Sequence, residues 1–275
     1  MNRKVLLRAA GTALVAIAVA LLIFPLYWAL AASVTVEARL FQAPSLLPLR
    51  PVLDHYAALF KEREFWLPIR NSLVVAGATT ALCLPAGALC AYALSRLRFR
   101  WSAAVLGLVL AVSMFPQISI VPPLYLVLRE LGLIHTYPGL VLPYTTFALP
   151  LAVWLMAAYF RQLPRELEEA ALVDGASRLR VLGEVVLPLS LPGLASAAIL
   201  TFVYCWNEFL FALSFTLGPE RQTVPVAIAL FRGRYQVPWG QVLAAAVVAT
   251  APVAAVVFAF QRRIVQGLTA GAVKG

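Results

Sequence analysis

Six long apolar stretches limit the folds open to this chain of 275 residues. A helix needs roughly 20 apolar residues to cross about 30 Å of hydrocarbon, and each stretch reaches that length. Backbone polar groups that face lipid must pair within their own segment, and a β-barrel would show alternating polarity, so we expect helices. The predicted spans are residues 11–32, 71–95, 102–128, 139–160, 194–217 and 241–261.

The composition agrees with a membrane protein, since 62% of the residues are hydrophobic and 12% are charged, against about 25% charged residues in soluble domains. The formal net charge of +10 comes from basic residues scattered between the apolar stretches. They form no aromatic–basic patch of the kind that binds nucleic acid, and loops beside anionic membrane lipid account for them. We therefore predict an all-α integral membrane protein with one domain, residues 1–275, and no nucleic-acid partner.

Basic residues also predict the orientation of the spans. They are dense in the first eight residues and again between residues 96 and 100, and such clusters favour the cytoplasmic side. The first apolar stretch exceeds the usual 7–15 residues of a signal-peptide core, so we predict a retained anchor rather than a cleaved signal. With six spans, both termini and the segment 161–193 are then predicted to face the cytoplasm.

The segment 161–193 is the one long polar interlude between apolar stretches. Pro164 precedes a run of good helix formers whose acidic residues lie in the first turns, where the helix dipole favours them. Gly175 permits a sharp or left-handed turn, and Ser177 can cap a second helix through Leu182. The pattern predicts two short helices that meet at Gly175.

This hairpin resembles the EAA loop of ABC-importer permeases. The match comprises Glu169-Ala170-Ala171, three residues, Gly175, nine residues and Val185-Val186-Leu187-Pro188. The resemblance implies a coupling helix that docks into a groove on a cytoplasmic ATPase; an amphipathic interfacial helix without a partner is the alternative. The residues expected to couple to the ATPase are Glu168, Glu169, Ala170, Ala171, Leu172, Asp174, Gly175, Leu187 and Pro188.

Other segments widen the resemblance to the maltose-type carbohydrate permeases, and it covers nearly the whole chain. They are Asp54-His55-Tyr56, Asn71-Ser72-Leu73, the sequence 206–213 (WNEFLFAL), Thr223-Val224-Pro225-Val226, Trp239-Gly240 and the ending 267–275 (GLTAGAVKG). The resemblance implies a six-transmembrane-helix permease fold. It also implies that the tail, residues 262–275, inserts between ATPase subunits through Gly267, Thr269, Gly271 and Lys274.

Two interrupted spans hold the candidate translocation residues. Prolines break the third span near Gln117 and Ser119, and broken backbone at membrane depth is tolerated where it lines a cavity. These two residues are predicted either to face the aqueous route or to lie at the rim of an external loop. Asn207 and Glu208 interrupt the fifth span; an intramembrane acid is costly, so Glu208 is either a pathway residue or a structural hydrogen-bond partner.

The chain itself shows no means of hydrolysing ATP, because it has no GxxxxGK[ST] phosphate-binding loop. The resemblance therefore implies a non-catalytic transport subunit, without cofactor or metal, in a bacterial or archaeal cytoplasmic membrane. Its implied partners are a second homologous permease, an ABC ATPase dimer and an extracytoplasmic sugar-binding protein, and its substrate a di- or oligosaccharide such as maltose or trehalose. The alternatives are an ion-coupled secondary carrier, a structural scaffold, and an ABC permease for a non-sugar solute such as a glycerol phosphate.

Overall fold

The computed structural model describes the backbone of residues 3–42, 48, 50–97, 100–231 and 237–269, with side chains from residue 10 to residue 260 inside those ranges. Those residues form helices and turns and contain no β-strand, which confirms the all-α prediction for them. The α-helices are α1 (Arg3–Ser33), α2 (Asp54–Lys61), α3 (Trp66–Arg96), α4 (Ser102–Ser113), α5 (Gln117–Glu130), α6 (Tyr137–Phe160), α7 (Glu166–Val173), α8 (Arg178–Val181), α9 (Leu187–Leu189), α10 (Leu191–Trp206), α11 (Leu210–Phe215), α12 (Val224–Ala229) and α13 (Trp239–Thr269).

Four of these helices, α1, α3, α6 and α13, are long and apolar enough to cross a membrane. Two further pairs pass the same test only as bent units: α4 with α5, bent by 84°, and the helix over residues 178–189 with α10, bent by 83°. Counting each bent pair as one span, the described residues hold up to six spans. The predicted interruption of the third span therefore lies between Ser113 and Gln117.

Packing divides the chain into two compact units, one of residues 1–66 and 228–252 and the other of residues 67–227 and 253–275. In the first unit, the Glu37 carboxylate accepts hydrogen bonds of 2.8 Å from the backbone amides of Trp239 and Gly240. These amides belong to the first turn of α13, which has no intrahelical acceptor for them. The prediction of a single domain stays a prediction.

The second unit is built around α6, which packs extensively against α10 and α4 and meets α3 at a close approach. Tyr144, Met156 and Phe160 on α6 are fully buried. Gly87 of α3 allows close packing, because an added Cβ would lie 3.3 Å from the Cβ of Ala152. A side chain at Gly193 would run into the ring of Tyr159, so α10 also approaches α6 closely.

Candidate coupling surface and translocation site

The first short helix of the hairpin, α7, has well-defined ends. Glu166, Glu168 and Glu169 all lie in its first turn, where their charge is favourable. At its end, the amide of Ala176 donates to the carbonyl of Ala171 and the amide of Gly175 donates to that of Leu172. This pair of bonds is a Schellman motif, which satisfies carbonyls that the helix itself leaves free.

Gly175 supplies the turn that ends the motif. Its φ of +86° lies in the left-handed region, which costs a residue with a side chain roughly 1–2 kcal/mol. An added Cβ would meet nothing within 4 Å, so the backbone angle and not space accounts for glycine here. The predicted cap of the second helix is also present, since the Ser177 hydroxyl accepts from the amide of Arg180 at 3.3 Å.

The second helix differs from the prediction in its length. It continues beyond Leu182 as a π-helical turn over Leu182–Val186 and then as α9, so Leu187 and Pro188 lie in its last turn before the 83° bend into α10. Pro188 lies inside this continuing helix and has no amide to donate, and the helix ends one residue later at Leu189.

The two faces of α7 have opposite surroundings. Ala171 and Leu172 pack against the buried side chains of Phe160 and Val181. Glu169, Ala170 and Asp174 are exposed, Val173 is 87% exposed, and Leu179 on α8 is 69% exposed. The exposed side of the hairpin thus combines large apolar side chains with the small side chain of Ala170.

Glu168 behaves differently from its neighbour Glu169, because it points into the protein. Its carboxylate lies 2.9 Å from Nε of Arg96 at the end of α3; the pair is at ion-pair distance without hydrogen-bond geometry, and both side chains are buried, at 2% exposure for Arg96 and 7% for Glu168. Arg96 also donates to the carbonyl of Leu163 at 2.7 Å, and the Tyr92 hydroxyl donates to Glu168 at 3.4 Å. We call Tyr92, Arg96, Leu163 and Glu168 the hairpin clamp.

Three of the four candidate translocation residues meet at one cavity of about 390 Å³. Gln117 donates to the Tyr204 hydroxyl at 2.7 Å across it. Asn207 is exposed and bonds the carbonyl of Val203, one turn earlier. The residues that line the cavity are Gln117, Val203, Tyr204, Asn207, Glu208, Phe209 and Leu210. Ser119 is exposed on α5 but is not one of them.

The Glu208 carboxylate is bound within the fold. One oxygen accepts from the amide of Phe211 at 2.7 Å and the other from the amide of Ala212 at 3.1 Å. Both amides belong to the first turn of α11, so Glu208 holds the start of that helix. Whether it also acts in transport stays a prediction.

Sequence reasoning missed Tyr92, Arg96 and Tyr204, which contact predicted residues from other helices. The basic residues between 96 and 100, Arg96 among them, indicate orientation in the sequence but not a contact with Glu168. The predicted tail residues Gly267 and Thr269 lie in the last turns of α13, whereas Gly271 and Lys274 lie outside the described residues. Within the described ranges, no three His, Cys, Asp or Glu residues are grouped as ligands for a metal ion.

Comparison with known proteins identifies the family. Residues 83–270 match the family described as "Binding-protein-dependent transport system inner membrane component". The chain is 41% identical over 256 residues to the trehalose/maltose transport system permease protein MalG of Thermococcus litoralis, with 92% of each chain covered. It is 42% identical over 254 residues to the sulfoquinovosyl glycerol transport system permease protein SmoH of Agrobacterium fabrum, covering 92% of this chain and 89% of the relative. It is also 45% identical over 232 residues to the trehalose transport system permease protein SugB of Mycobacterium tuberculosis, covering 84% and 85%.

The fold also matches a solved structure. A bacterial ABC transporter involved in the import of the acidic polysaccharide alginate contains a chain that superposes with a TM-score of 0.79 at 23% identity, covering 95% of this chain and 98% of that one. This likeness, together with the helical architecture, confirms the predicted ABC-importer permease fold. The chain therefore belongs to the family of binding-protein-dependent transport system inner membrane components, as its resemblance to the maltose-type permeases implied.

Proposed function

We propose that this chain is a permease subunit of an ATP-driven importer for a di- or oligosaccharide such as maltose or trehalose. Two of the relatives are named for trehalose or maltose transport and a third for sulfoquinovosyl glycerol. All three named solutes carry a sugar ring. This supports a sugar over the alternative of a simple glycerol phosphate.

The outward face of α7 is the observation that carries the coupling role. Glu169, Ala170 and Val173 project from a helix whose opposite face is packed into the chain. An ATPase groove would cover this face and bury Val173. An exposed ion pair at Glu169 would contribute only about 0–1 kcal/mol, so packing of Ala170 and Val173 provides most of the contact, and the charge sets its register.

The remaining partners follow from this role. A separate ABC ATPase dimer hydrolyses the ATP, and a second homologous permease completes the translocation pathway. The family description names binding-protein-dependent systems, which supports an extracytoplasmic sugar-binding protein as the third partner. We place the hairpin and both termini in the cytoplasm, and the tail, with Gly267, Thr269, Gly271 and Lys274, against the ATPase.

The cavity beside the break between α10 and α11 is the proposed section of the sugar route in this chain. Amide groups from Gln117 and Asn207 and the Tyr204 hydroxyl provide donors and acceptors that match sugar hydroxyls. Phe209, 38% exposed, adds an aromatic surface. Glu208 positions the wall of this cavity by holding α11, and Ser119 lies further along α5.

Replacement of Gly175 tests the proposal. In the complex with its ATPase and binding protein, reconstituted in liposomes, Gly175→Pro should abolish ATP-driven uptake of labelled maltose or trehalose. Proline cannot reach a φ of +86°, and it removes the amide that donates to Leu172. Gly183→Ala is the matched control, because Gly183 lies in the same hairpin with open space around it and no positive φ.

Size-exclusion chromatography must show that Gly175→Pro still assembles. Gly175→Asn, which tolerates the left-handed region, should retain partial uptake. Wild-type uptake in an assembled Gly175→Pro complex would refute the coupling role of the hairpin. Absence of ATP-driven uptake of both sugars by the wild-type complex would refute maltose and trehalose as substrates.

A further inference from the structure

The end of α3 opposite the hairpin is also fixed by buried hydrogen bonds. The Asn71 side chain is fully buried, and its amide nitrogen donates to the carbonyls of Glu220 and Gln222, both at 2.9 Å. Its carbonyl oxygen accepts from the Tyr137 hydroxyl at 2.8 Å. We call Asn71, Ser72, Tyr137 and the backbone of residues 220–224 the loop clamp.

Ser72 adds a further bond to the loop clamp, because its hydroxyl accepts from the amide of Val224 at 2.8 Å. The segment 220–224 is thus tied to the first turns of α3 by three of its own backbone groups. The side chain of Glu220 projects from this tied backbone and is 69% exposed. The segment therefore has an exposed side chain at Glu220, while its backbone is hydrogen-bonded to Asn71 and Ser72 of α3.

The two clamps are separated by about the thickness of a membrane. The 25 residues from Asn71 to Arg96 span about 37 Å at 1.5 Å per residue, against about 30 Å for the hydrocarbon layer. The loop clamp and the hairpin clamp therefore lie at opposite membrane faces. This placement holds whichever face is cytoplasmic.

The stretch of α3 between the clamps is braced by α6. Pro85 weakens the helix, because an interior proline removes one hydrogen bond. On either side of it, the Cys83 thiol approaches the carbonyl of Thr145 at 3.9 Å, and Gly87 lies tightly against Ala152. Bending at Pro85 would have to open these contacts, so the helix pair resists it.

We propose that α3, braced by α6, is a strut that carries the signal between the binding protein and the ATPase, with Asn71 and the Arg96–Glu168 pair as its positioning residues. This inference rests on the proposed function, in which the two partners act at opposite membrane faces. A binding protein that moves the segment 220–224 also moves Asn71. The hairpin clamp then passes the displacement of α3 to α7, and the same bonds work in reverse when the ATPase moves α7.

The test compares ATP hydrolysis with and without maltose- or trehalose-loaded binding protein, in the complete complex in liposomes. Asn71→Ala removes the Asn71 hydrogen bonds of the loop clamp, and Arg96→Met removes the Arg96–Glu168 pair of the hairpin clamp. Each should lower the ratio of stimulated to unstimulated hydrolysis by about 2- to 30-fold, the range found for residues that carry coupling between sites. Because the clamps act in series, the double variant should be no worse than the more severe single variant.

Two variants on α3 are matched controls. Thr80→Ala and Ser95→Ala each remove a hydroxyl that bonds only a carbonyl of α3 itself, that of Ala76 or Ala91. Both should keep the stimulation ratio within about twofold of wild type. Ser72→Ala, which removes a single acceptor, replaces Asn71→Ala if that variant does not assemble, and should show a smaller loss in the same direction.

The outcomes separate the strut from the proposed function. If the single variants kept the wild-type ratio of stimulated to unstimulated hydrolysis, the proposed role of α3 would be overturned. A double variant in which the fold-decrease of this ratio equals the product of the two single fold-decreases would also overturn it, because that pattern indicates two independent routes. A wild-type complex whose hydrolysis does not respond to binding protein loaded with maltose or with trehalose would instead overturn the proposed import of these two sugars. Hydrogen exchange of the 220–224 amides in Asn71→Ala, measured without partners, should rise; unchanged exchange would show that the loop clamp does not hold the segment.

Discussion

The hairpin clamp yields a prediction whose size follows from burial. Arg96→Met removes the cation nearest to Glu168 and leaves its buried carboxylate with only Arg165 and Arg178, which line the same cavity of about 300 Å³. Breaking a buried pair from one side costs about 3–5 kcal/mol, whereas replacing both partners by apolar residues is often nearly neutral. We therefore expect Arg96→Met to destabilise the contact between α7 and α3 by about 3–5 kcal/mol.

The double variant Arg96→Met with Glu168→Leu should recover part of this loss. It removes the stranded carboxylate, but it leaves the carbonyl of Leu163 without the donor that Arg96 provides at 2.7 Å. An unsatisfied buried acceptor costs about 1–3 kcal/mol. In the double variant, the contact between α7 and α3 should therefore be less stable than in wild type by about 1–3 kcal/mol. It should be clearly more stable than in Arg96→Met.

Hydrogen exchange of the α7 amides measures the effect, because it reports local opening without requiring a two-state transition of the whole membrane protein. A loss of 3–5 kcal/mol corresponds to exchange faster by roughly 100- to 5000-fold, or to loss of all protection if α7 is less stable than that. The control is Arg180→Met, which breaks the exposed Arg180–Glu184 pair, with side chains 65% and 63% exposed. An exposed pair of this kind contributes at most about 1 kcal/mol.

Equal exchange in the single and double variants would refute this reasoning, because it would mean that the stranded charge costs nothing. If Arg180→Met lowered the protection of the α7 amides as much as Arg96→Met does, the reasoning would also be refuted. In that case any lost charge near the hairpin would loosen α7, and burial would not decide the outcome.

Three further predictions concern the hairpin, the packing of α10 and the cavity. Gly175→Ala should destabilise the hairpin turn by about 1–2 kcal/mol, seen as faster hydrogen exchange at Ala176, whereas Gly183→Ala should leave that exchange unchanged. Gly193→Val should lower the fraction of protein that elutes as a monodisperse peak in detergent, because its side chain would meet the Tyr159 ring; Tyr159→Ala in the same chain should restore part of it. Asn207→Leu should lower sugar uptake several-fold while binding-protein-stimulated ATP hydrolysis persists; equal loss of both would place Asn207 outside the sugar route.

The sequence predicted the turns and helix caps that depend on neighbouring residues. The turn at Gly175 and the cap at Ser177 depend on residues within five positions of each other, and both are present. The π-helical turn over Leu182–Val186 carries no comparable signal. The prediction therefore ended the second helix early, at Leu182.

Glu208 shows a limit of a different kind. An acid inside an apolar stretch indicates that it must find a partner, but not which one. Its partners are the amides of Phe211 and Ala212, three and four residues ahead. Glu is not one of the residues favoured at helix N-caps, where Ser, Thr, Asp and Asn predominate. The capping pattern therefore did not predict this contact.

The angle of a bend and the partners of distant side chains could not be predicted. Prolines indicated a break in the third span, but the 84° angle between α4 and α5 depends on what each helix packs against. Arg96 and Glu168 are far apart in the chain, and the sequence offers several acids and several arginines that could pair. Only the fold decides that Glu168 turns inward while its neighbour Glu169 faces water.

That difference between adjacent glutamates bears on how force can pass through the hairpin. A helix transmits displacement only if it is held more firmly on the side of its own chain than on the side of its partner. Glu169 lies on the exposed face, where a charge contributes about 0–1 kcal/mol, and Glu168 lies in a buried clamp that costs about 3–5 kcal/mol to break from one side. The stronger charged contact of α7 is therefore internal, so a partner that packs on Ala170 and Val173 would carry α7 and the end of α3 together.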